Sequence, residues 1–164
     1  MEIYRHYGHN KFDINKFVPV FNGAFSNKPE GGLWACPTID YDINWEEWSR
    51  SNDFQVDRLN KYFDFKLKDN AKILEIKNMS DLEKLPRVSY DDEDLRYIIS
   101  IDKMNSDIDF EELSKEYDGM MVWMYRANDL KNYERVYDGI YYKLYGWDVD
   151  TLVVFNPQTI EVIE

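Results

Sequence analysis

Apolar runs and alternating segments predict a chain built mainly from short strands. Two of the runs, residues 120–125 and 151–155, are almost continuously apolar, which is typical of strands covered on both faces. Residues 3–8 mix aromatic and polar side chains, and strand alternation places Arg5 and His6 on opposite faces. The predicted strands are residues 3–8, 33–36, 120–125, 151–155 and 160–163.

Helix-start signals predict three short helices between these strands. Asn44 and Asp109 each stand three residues before a glutamate, a spacing close to that of the capping box. Ser80, also three residues before a glutamate, predicts another helix that Pro86 closes. The helices that follow Asn44 and Asp109 are expected over residues 45–51 and 109–116.

The remaining segments complete an α+β fold. Residues 58–77 predict a hairpin, and residues 10–30, broken by Pro19 and Gly23, predict an irregular loop over a cleft. We expect two small, mainly antiparallel sheets in a split sandwich with short peripheral helices, the first strand lying beside the last long strand. No Gly-rich or Ser/Pro-rich linker divides residues 1–164, which predicts a single domain.

Composition narrows the classes of function. The formal net charge of −12 repels phosphate backbones, so general nucleic-acid binding is disfavoured, whereas a small anion held by local cations is compatible with it. Cys36 is the single cysteine, which excludes an internal disulfide and a Cys-rich zinc site. The N-terminus lacks a signal-peptide pattern and no run is long enough to span a bilayer, so we expect a cytoplasmic protein.

Common catalytic motifs are missing from the sequence. It contains no P-loop, no Gly-x-Ser-x-Gly elbow and no His-Glu-x-x-His segment. Both histidines lie near the start, and no metal site is expected. A pairing of Cys36 with His6 or His9 is formally possible, but a thiol inside an apolar strand is usually inert.

The double glycine before Trp34 has two interpretations. Gly31 and Gly32 either form a tight turn into a buried strand, or let the backbone approach a ligand whose ring stacks on Trp34. A dinucleotide site needs a cation or hydrogen-bond donor for the phosphate or ribose, glycines that allow close approach of the backbone, and aromatic side chains beside the rings. In the second interpretation Arg5 or His6 is the donor, and Tyr7 or Tyr41 joins Trp34 as a wall.

Three segments also resemble the motifs of a known family. They are Ile3-Tyr4-Arg5-His6-Tyr7-Gly8, Gly31-Gly32-Leu33-Trp34 and Asp150-Thr151-Leu152-Val153-Val154-Phe155-Asn156. In this order they resemble the ADP-ribosyltransferase superfamily, in its poly-ADP-ribose-polymerase-like branch, with Trp34 at a tyrosine position. The second segment is also similar to a Gly-Gly-Leu-Trp-Ala-Ser-Pro signature of small phage and bacterial proteins, with Cys36 at the serine position.

The resemblance implies NAD as a substrate and a mono-ADP-ribosyltransferase-like activity on a protein target. It implies Arg5 or His6 at the ribose of NAD, and the strand containing Trp34 beside the nicotinamide. The family has a catalytic glutamate where this chain has Thr151, and threonine has no charge to stabilise the transition state. Asp150 is adjacent, but a strand neighbour points to the opposite face unless a bulge re-aims it.

Three hypotheses therefore stay open. The chain is an NAD-dependent ADP-ribosyltransferase-like enzyme that uses Asp150 and Thr151, or it keeps that fold as a catalytically inactive module that binds a nucleotide or a protein. The third is an unrelated acidic α+β protein, such as a phage-encoded inhibitor, whose aromatic surface contacts a partner.

Overall fold

The computed structural model describes residues 2–23, 28–39, 43–88, 108–124, 136–137, 140–141 and 147–163. These residues form an α+β fold with a curled, mixed seven-stranded sheet. The α+β class is the one that the apolar pattern predicted. The strands are β1 Tyr4–Tyr7, β2 Phe21–Asn22, β3 Pro29–Glu30, β4 Leu33–Pro37, β5 Tyr62–Leu67, β6 Ile73–Ile76, β7 Gly119–Val122, β8 Val136–Tyr137, β9 Ile140–Tyr141, β10 Thr151–Val154 and β11 Ile160–Ile163.

The main sheet has the strand order β11-β5-β1-β4-β10-β7-β6. All of its neighbours are antiparallel except β6 and β7, which run parallel. The pairs β2-β3 and β8-β9 form separate two-stranded ribbons. The long apolar runs predicted as covered strands, β7 and β10, lie in the interior of this sheet, where both edges are paired.

Three helices are described: α1 Trp45–Ser51, α2 Met79–Glu83 and α3 Phe110–Glu116. Asn44 and Asp109 cap α1 and α3 as predicted, each accepting a hydrogen bond from the backbone of the glutamate three residues on. The predicted cap of α2 was wrong, because Asn78 rather than Ser80 accepts from the backbone of Asp81. Among the described residues no helix has the length and apolar character to cross a membrane.

Three expectations about strand pairing were wrong. Residues 58–77 do not form a hairpin, since β5 pairs with β1 and β11 while β6 pairs with β7. The first strand and the last long strand are not neighbours, since β4 lies between β1 and β10. Seven of the eleven described strands join into one curled sheet instead of dividing into two small sheets, because β4 pairs on both of its edges, and the other four strands form the two ribbons.

β4 changes its partner halfway along its length. Its residues 33–35 pair with β10, whereas Cys36 and Pro37 pair with β1. Beyond the Arg5–Cys36 pair, β1 separates from β4, and the His6 ring occupies the gap. His6 Nδ1 donates to the Trp34 carbonyl oxygen at 2.7 Å, where a backbone ladder bond would otherwise lie. The sheet is therefore notched between β1 and the start of β4.

Strand alternation sends side chains into two apolar clusters, one on each face of the sheet. One cluster contains Val153 of β10 and the side chains of α2 and α3, such as Leu82 and Phe110. The other contains Leu152 and Val154 of β10 with residues of β1 and β5. Trp34 packs against the first cluster and its neighbours Leu33 and Ala35 belong to the second.

Candidate ligand-binding site

A cavity of about 410 Å³ opens where β1 separates from β4, and we call it the front cavity. Its wall on the sheet side is formed by side chains of β1, β4 and β10, and its opposite wall by α1 and the turn that follows. The lining residues are Arg5, His6, Tyr7, Lys28, Pro29, Trp34, Ala35, Cys36, Trp45, Phe54, Gln55, Arg58 and Thr151. The volume is within the range of small-molecule sites.

The charge of the front cavity is opposite to that of the whole chain. Arg5, Lys28 and Arg58 line it, and no aspartate or glutamate does so among the residues that the structure describes. The whole sequence carries 32 acidic and 20 basic residues. The lining is therefore basic on an acidic protein, although the carboxylates of Asp64 and Asp148 act on Arg5 and Lys28 from outside the cavity.

Lys28 and Trp34 form the aromatic and cationic centre of the cavity. Lys28 Nζ lies 4.9 Å from the centroid of the Trp34 ring, within cation–π range. Trp34 is fixed by its indole N–H, which donates to the Gly31 carbonyl oxygen at 3.0 Å, and by Trp147, whose ring centroid is 5.0 Å away. Burial lowers the pKa of Lys28, and the carboxylate of Asp148 partly offsets that shift.

The Arg5 side chain is held by residues of the sheet and is not available to a ligand. Its Nε and Nη2 atoms donate to the two carboxylate oxygens of Asp64 at 2.7 and 2.8 Å. Its guanidinium also lies 3.9 Å from the centroid of the Tyr62 ring. The hydrogen bond to Asp64 raises the pKa of Arg5 above its usual range. Arg58 is exposed and makes no ion pair with any described residue, so its guanidinium remains available at the rim.

His6 separates the front cavity from the other face of the sheet. Because the Trp34 carbonyl accepts from Nδ1, the neutral ring has its lone pair on Nε2. Nε2 is 2.9 Å from His9 Nδ1, and the two rings stack with centroids 5.2 Å apart. Burial lowers the pKa of His6, so the neutral ring is favoured in the folded protein.

The Thr151 and Cys36 side chains lie side by side on the sheet wall. Thr151 is 8% exposed, and its hydroxyl donates to the Val149 carbonyl oxygen at 2.7 Å. Burial raises the pKa of Cys36 to about 12. The thiol is therefore neutral and a poor nucleophile at physiological pH, as the apolar strand predicted.

The wall opposite the sheet is a short aromatic segment. Trp45 and Trp48 stack with centroids 5.2 Å apart, and the edge of Phe54 meets both rings. Asp53 and Gln55 have φ values of +51° and +49°, in the left-handed region that residues other than glycine seldom adopt. This tight turn aims Phe54 and Gln55 into the cavity.

Gly31 and Gly32 do not line the front cavity. Their φ values are +72° and +69°, so the predicted turn is present, but protein atoms occupy the space beside them. A Cβ at Gly31 would lie 2.3 Å from the Pro19 carbonyl oxygen, and one at Gly32 would lie 2.8 Å from Val20 Cγ1. Close approach of the chain's own residues 18–20 thus explains why glycine is needed here.

The two glycines border a second hollow of about 440 Å³ on the other side of His6, which we call the back cavity. It lies between the sheet and the loop of residues 10–18. His6 is the one described residue that lines both cavities, so its side chain lies between the two hollows at the notch between β1 and β4.

The structure brings together five of the nine residues selected from the sequence. Arg5, His6, Tyr7, Trp34 and Thr151 line the front cavity. Asp150 is half-buried and lines neither cavity, although its charge adds to the raised pKa of Cys36. Tyr41 lies outside the described residues. Three or more potential metal-ligating side chains do not cluster anywhere in the described part of the chain.

The lining residues that the sequence reasoning did not select include Lys28, Phe54, Gln55 and Arg58. The chain around Phe54 has no apolar periodicity, and nothing in the sequence signals a left-handed turn built without glycine. Lys28 carried one signal, since it is the single basic residue between Lys16 and the double glycine.

Comparisons of the chain with protein-family models, with curated proteins and with solved structures found no match.

Proposed function

We propose that this chain is a nucleotide-binding module that takes NAD, or a similar ring-bearing anion, into the front cavity without transferring ADP-ribose. The observation that carries the proposal is the lining of that cavity. It combines the cations Lys28 and Arg58 and four aromatic rings with no described carboxylate, on a chain whose net charge is −12. A ligand with aromatic rings and phosphates matches both properties.

Each part of such a ligand has a complementary group in the cavity. The Trp34 indole is held by its own hydrogen bond and by Trp147, so it offers a rigid face for a base or a nicotinamide ring. Lys28 and Arg58 lie at the cavity as cations for a phosphate. Trp45 and Phe54 close the site from the side opposite the sheet.

The absence of transfer is inferred from Thr151. In the ADP-ribosyltransferase-like arrangement that the motifs suggest, this position needs a carboxylate for the developing positive charge on the ribose. Thr151 is uncharged, and its hydroxyl proton is already donated to the Val149 carbonyl oxygen. Asp150 does not line the cavity. The chemistry of the family requires a carboxylate here, and no described residue that lines the front cavity carries one.

Calorimetric titration with NAD tests the binding. We expect saturable binding that weakens about tenfold in Arg58→Gln and in Lys28→Met, because each variant removes one charged donor while keeping most of the side chain. Arg50→Gln is the matched control, because Arg50 is exposed, pairs with Glu46 on α1 and lines neither cavity. It should bind NAD like the parent protein.

Incubation with labelled NAD and lysate proteins tests the second half of the proposal. We expect neither release of nicotinamide nor label on any protein. Labelled protein would instead establish the transferase hypothesis and overturn the inactive one. Titrations that show no NAD binding, or binding that ignores both Arg58→Gln and Lys28→Met, would contradict the assignment of the ligand to the front cavity.

A further inference from the structure

We propose that the back cavity is a second and separate binding site, for a small organic acid with an apolar body. The proposal does not depend on what the front cavity binds. It rests on the shape, the apolar floor and the charge of a hollow of about 440 Å³ that the sheet and the loop of residues 10–18 enclose.

The floor of the back cavity is apolar and aromatic. Phe63 and Leu33 are buried in the sheet at 6% and 7% exposure, and both belong to the core cluster on that face. Phe12 and Phe17, from the covering loop, pack against the same cluster. The Phe12 and Phe63 ring centroids are 6.0 Å apart, as in ordinary aromatic pairs. An aliphatic chain or an aromatic ring fits such a floor.

The rim of the back cavity is mostly basic. His9, Lys11 and Lys16 line it, and His9 and Lys11 are exposed. Asp13 is the acidic residue on this lining, and one of its carboxylate oxygens already accepts from the Asn15 backbone N–H at the start of the single 3-10 turn Ile14–Lys16. Its other oxygen is 4.0 Å from Lys16 Nζ. The remaining positive charge complements an acidic headgroup placed above the apolar floor.

The back cavity is separated from the front cavity by His6. The His6 ring is held at one end by the Trp34 carbonyl oxygen and at the other by His9 Nδ1. It also packs against Phe63, with the ring centroids 5.1 Å apart. A ligand in the back cavity therefore contacts the His9 side of this pair, whereas a ligand in the front cavity contacts Trp34. Two independent occupants are expected.

Octanoate is the probe for the back cavity, with amide NMR spectra of the whole chain as the readout. We expect saturable shifts of the amide signals of residues 9–18 and 31–33. The amide signals around Arg58, at the front cavity, should change little. Acetate, which has the charge without the apolar body, and octanol, which has the body without the charge, should each shift these amides far less. Comparable shifts with either control ligand would overturn the proposal.

The double variant His9→Ala/Lys11→Ala tests the basic rim. Both side chains are exposed, so the fold is expected to persist, and octanoate affinity should fall about threefold or more. Lys115→Ala on α3 and Arg58→Gln at the front cavity are controls that should leave octanoate affinity unchanged. Unchanged affinity in the double variant, or octanoate shifts that map to the front cavity, would overturn the proposal. NAD binding is measured separately, so failure of either site is distinguishable from failure of the other.

Discussion

His6 shows how one side chain joins fold and site at the scale of the residue. Its Nδ1 hydrogen bond to the Trp34 carbonyl oxygen closes the sheet where β1 leaves β4. Its Nε2 faces His9, so a proton added to Nε2 must point at His9 Nδ1 and reverses the tautomer of that ring. Burial and the neighbouring His9 both lower the pKa of His6 from its ordinary value of 6.5.

A pH dependence of stability follows from that lowered pKa. The unfolded chain takes up a proton at His6 near pH 6.5 and the folded protein does so only at lower pH, so acid favours unfolding. The contribution of His6 to the free energy of unfolding should therefore be complete above about pH 6.5. Below that pH the free energy of unfolding should decrease, by at most about 1.4 kcal/mol per pH unit for this one proton. Urea unfolding between about pH 5 and pH 8 measures the slope.

His6→Gln isolates this contribution, because glutamine keeps a donor for the Trp34 carbonyl oxygen but does not titrate. Its unfolding free energy should depend less on pH in the acid range than that of the parent protein. Equal slopes in the two proteins would show that His6 is as readily protonated in the fold as in the unfolded chain.

The sequence predicted that some of the selected side chains gather, but not how their polar atoms are used. Arg5, His6 and Trp34 were selected together and all line the front cavity. The bidentate pairing of Arg5 with Asp64 was not foreseen, because Asp64 is 59 positions away and becomes a neighbour only through the pairing of β1 with β5. The cation available at the rim is instead Arg58.

At the scale of the element, local signals succeeded and long-range pairings failed. The caps at Asn44 and Asp109 involve atoms three residues apart, and the sequence contains all of that information. The hairpin expected over residues 58–77 failed because β6 has a more apolar partner in β7, which the chain reaches only after residue 118. Strand partners depend on the whole core, so a plausible turn between two strands does not decide them.

The turn into β4 yields a prediction about packing. Gly31→Ala would bring a Cβ within 2.3 Å of the Pro19 carbonyl oxygen and 2.8 Å of the Val18 carbonyl oxygen, and backbone atoms cannot rotate away. We expect it to lower the free energy of unfolding by about 2–4 kcal/mol, since a clash adds to the cost of positive φ. Chemical denaturation measures the loss.

Gly8→Ala is the matched control for the turn. Gly8 also has positive φ, at +105°, but the nearest atom to an added Cβ is Arg58 Cδ at 3.9 Å, which is ordinary contact. The loss of stability in Gly8→Ala should come from the backbone conformation alone, and it should be smaller than the loss in Gly31→Ala. If the Gly31 variant were the milder of the two, residues 18–20 would not pack on the turn as the structure places them.

At the scale of the whole molecule, positive charge is concentrated around the notch while the rest of the chain is acidic. The two cavities together are lined by the cations Arg5, Lys11, Lys16, Lys28 and Arg58, against the single described carboxylate of Asp13. The net charge of −12 opposes the approach of any anion from a distance, so both proposed sites depend on cations that act at short range.

The same imbalance predicts that moderate salt stabilises the fold. At neutral pH the acidic surface repels itself, and screening this repulsion should outweigh the weakening of exposed ion pairs such as Arg50–Glu46, which contribute little each. Raising NaCl from about 10 mM to about 200 mM should increase the free energy of urea unfolding by roughly 1 kcal/mol at pH 7.5. Near the isoelectric point of about 4.6 the net repulsion vanishes, so the salt effect should shrink or reverse there. A destabilisation by salt at pH 7.5 would mean that ion pairs, rather than the net charge, dominate the electrostatics of this fold.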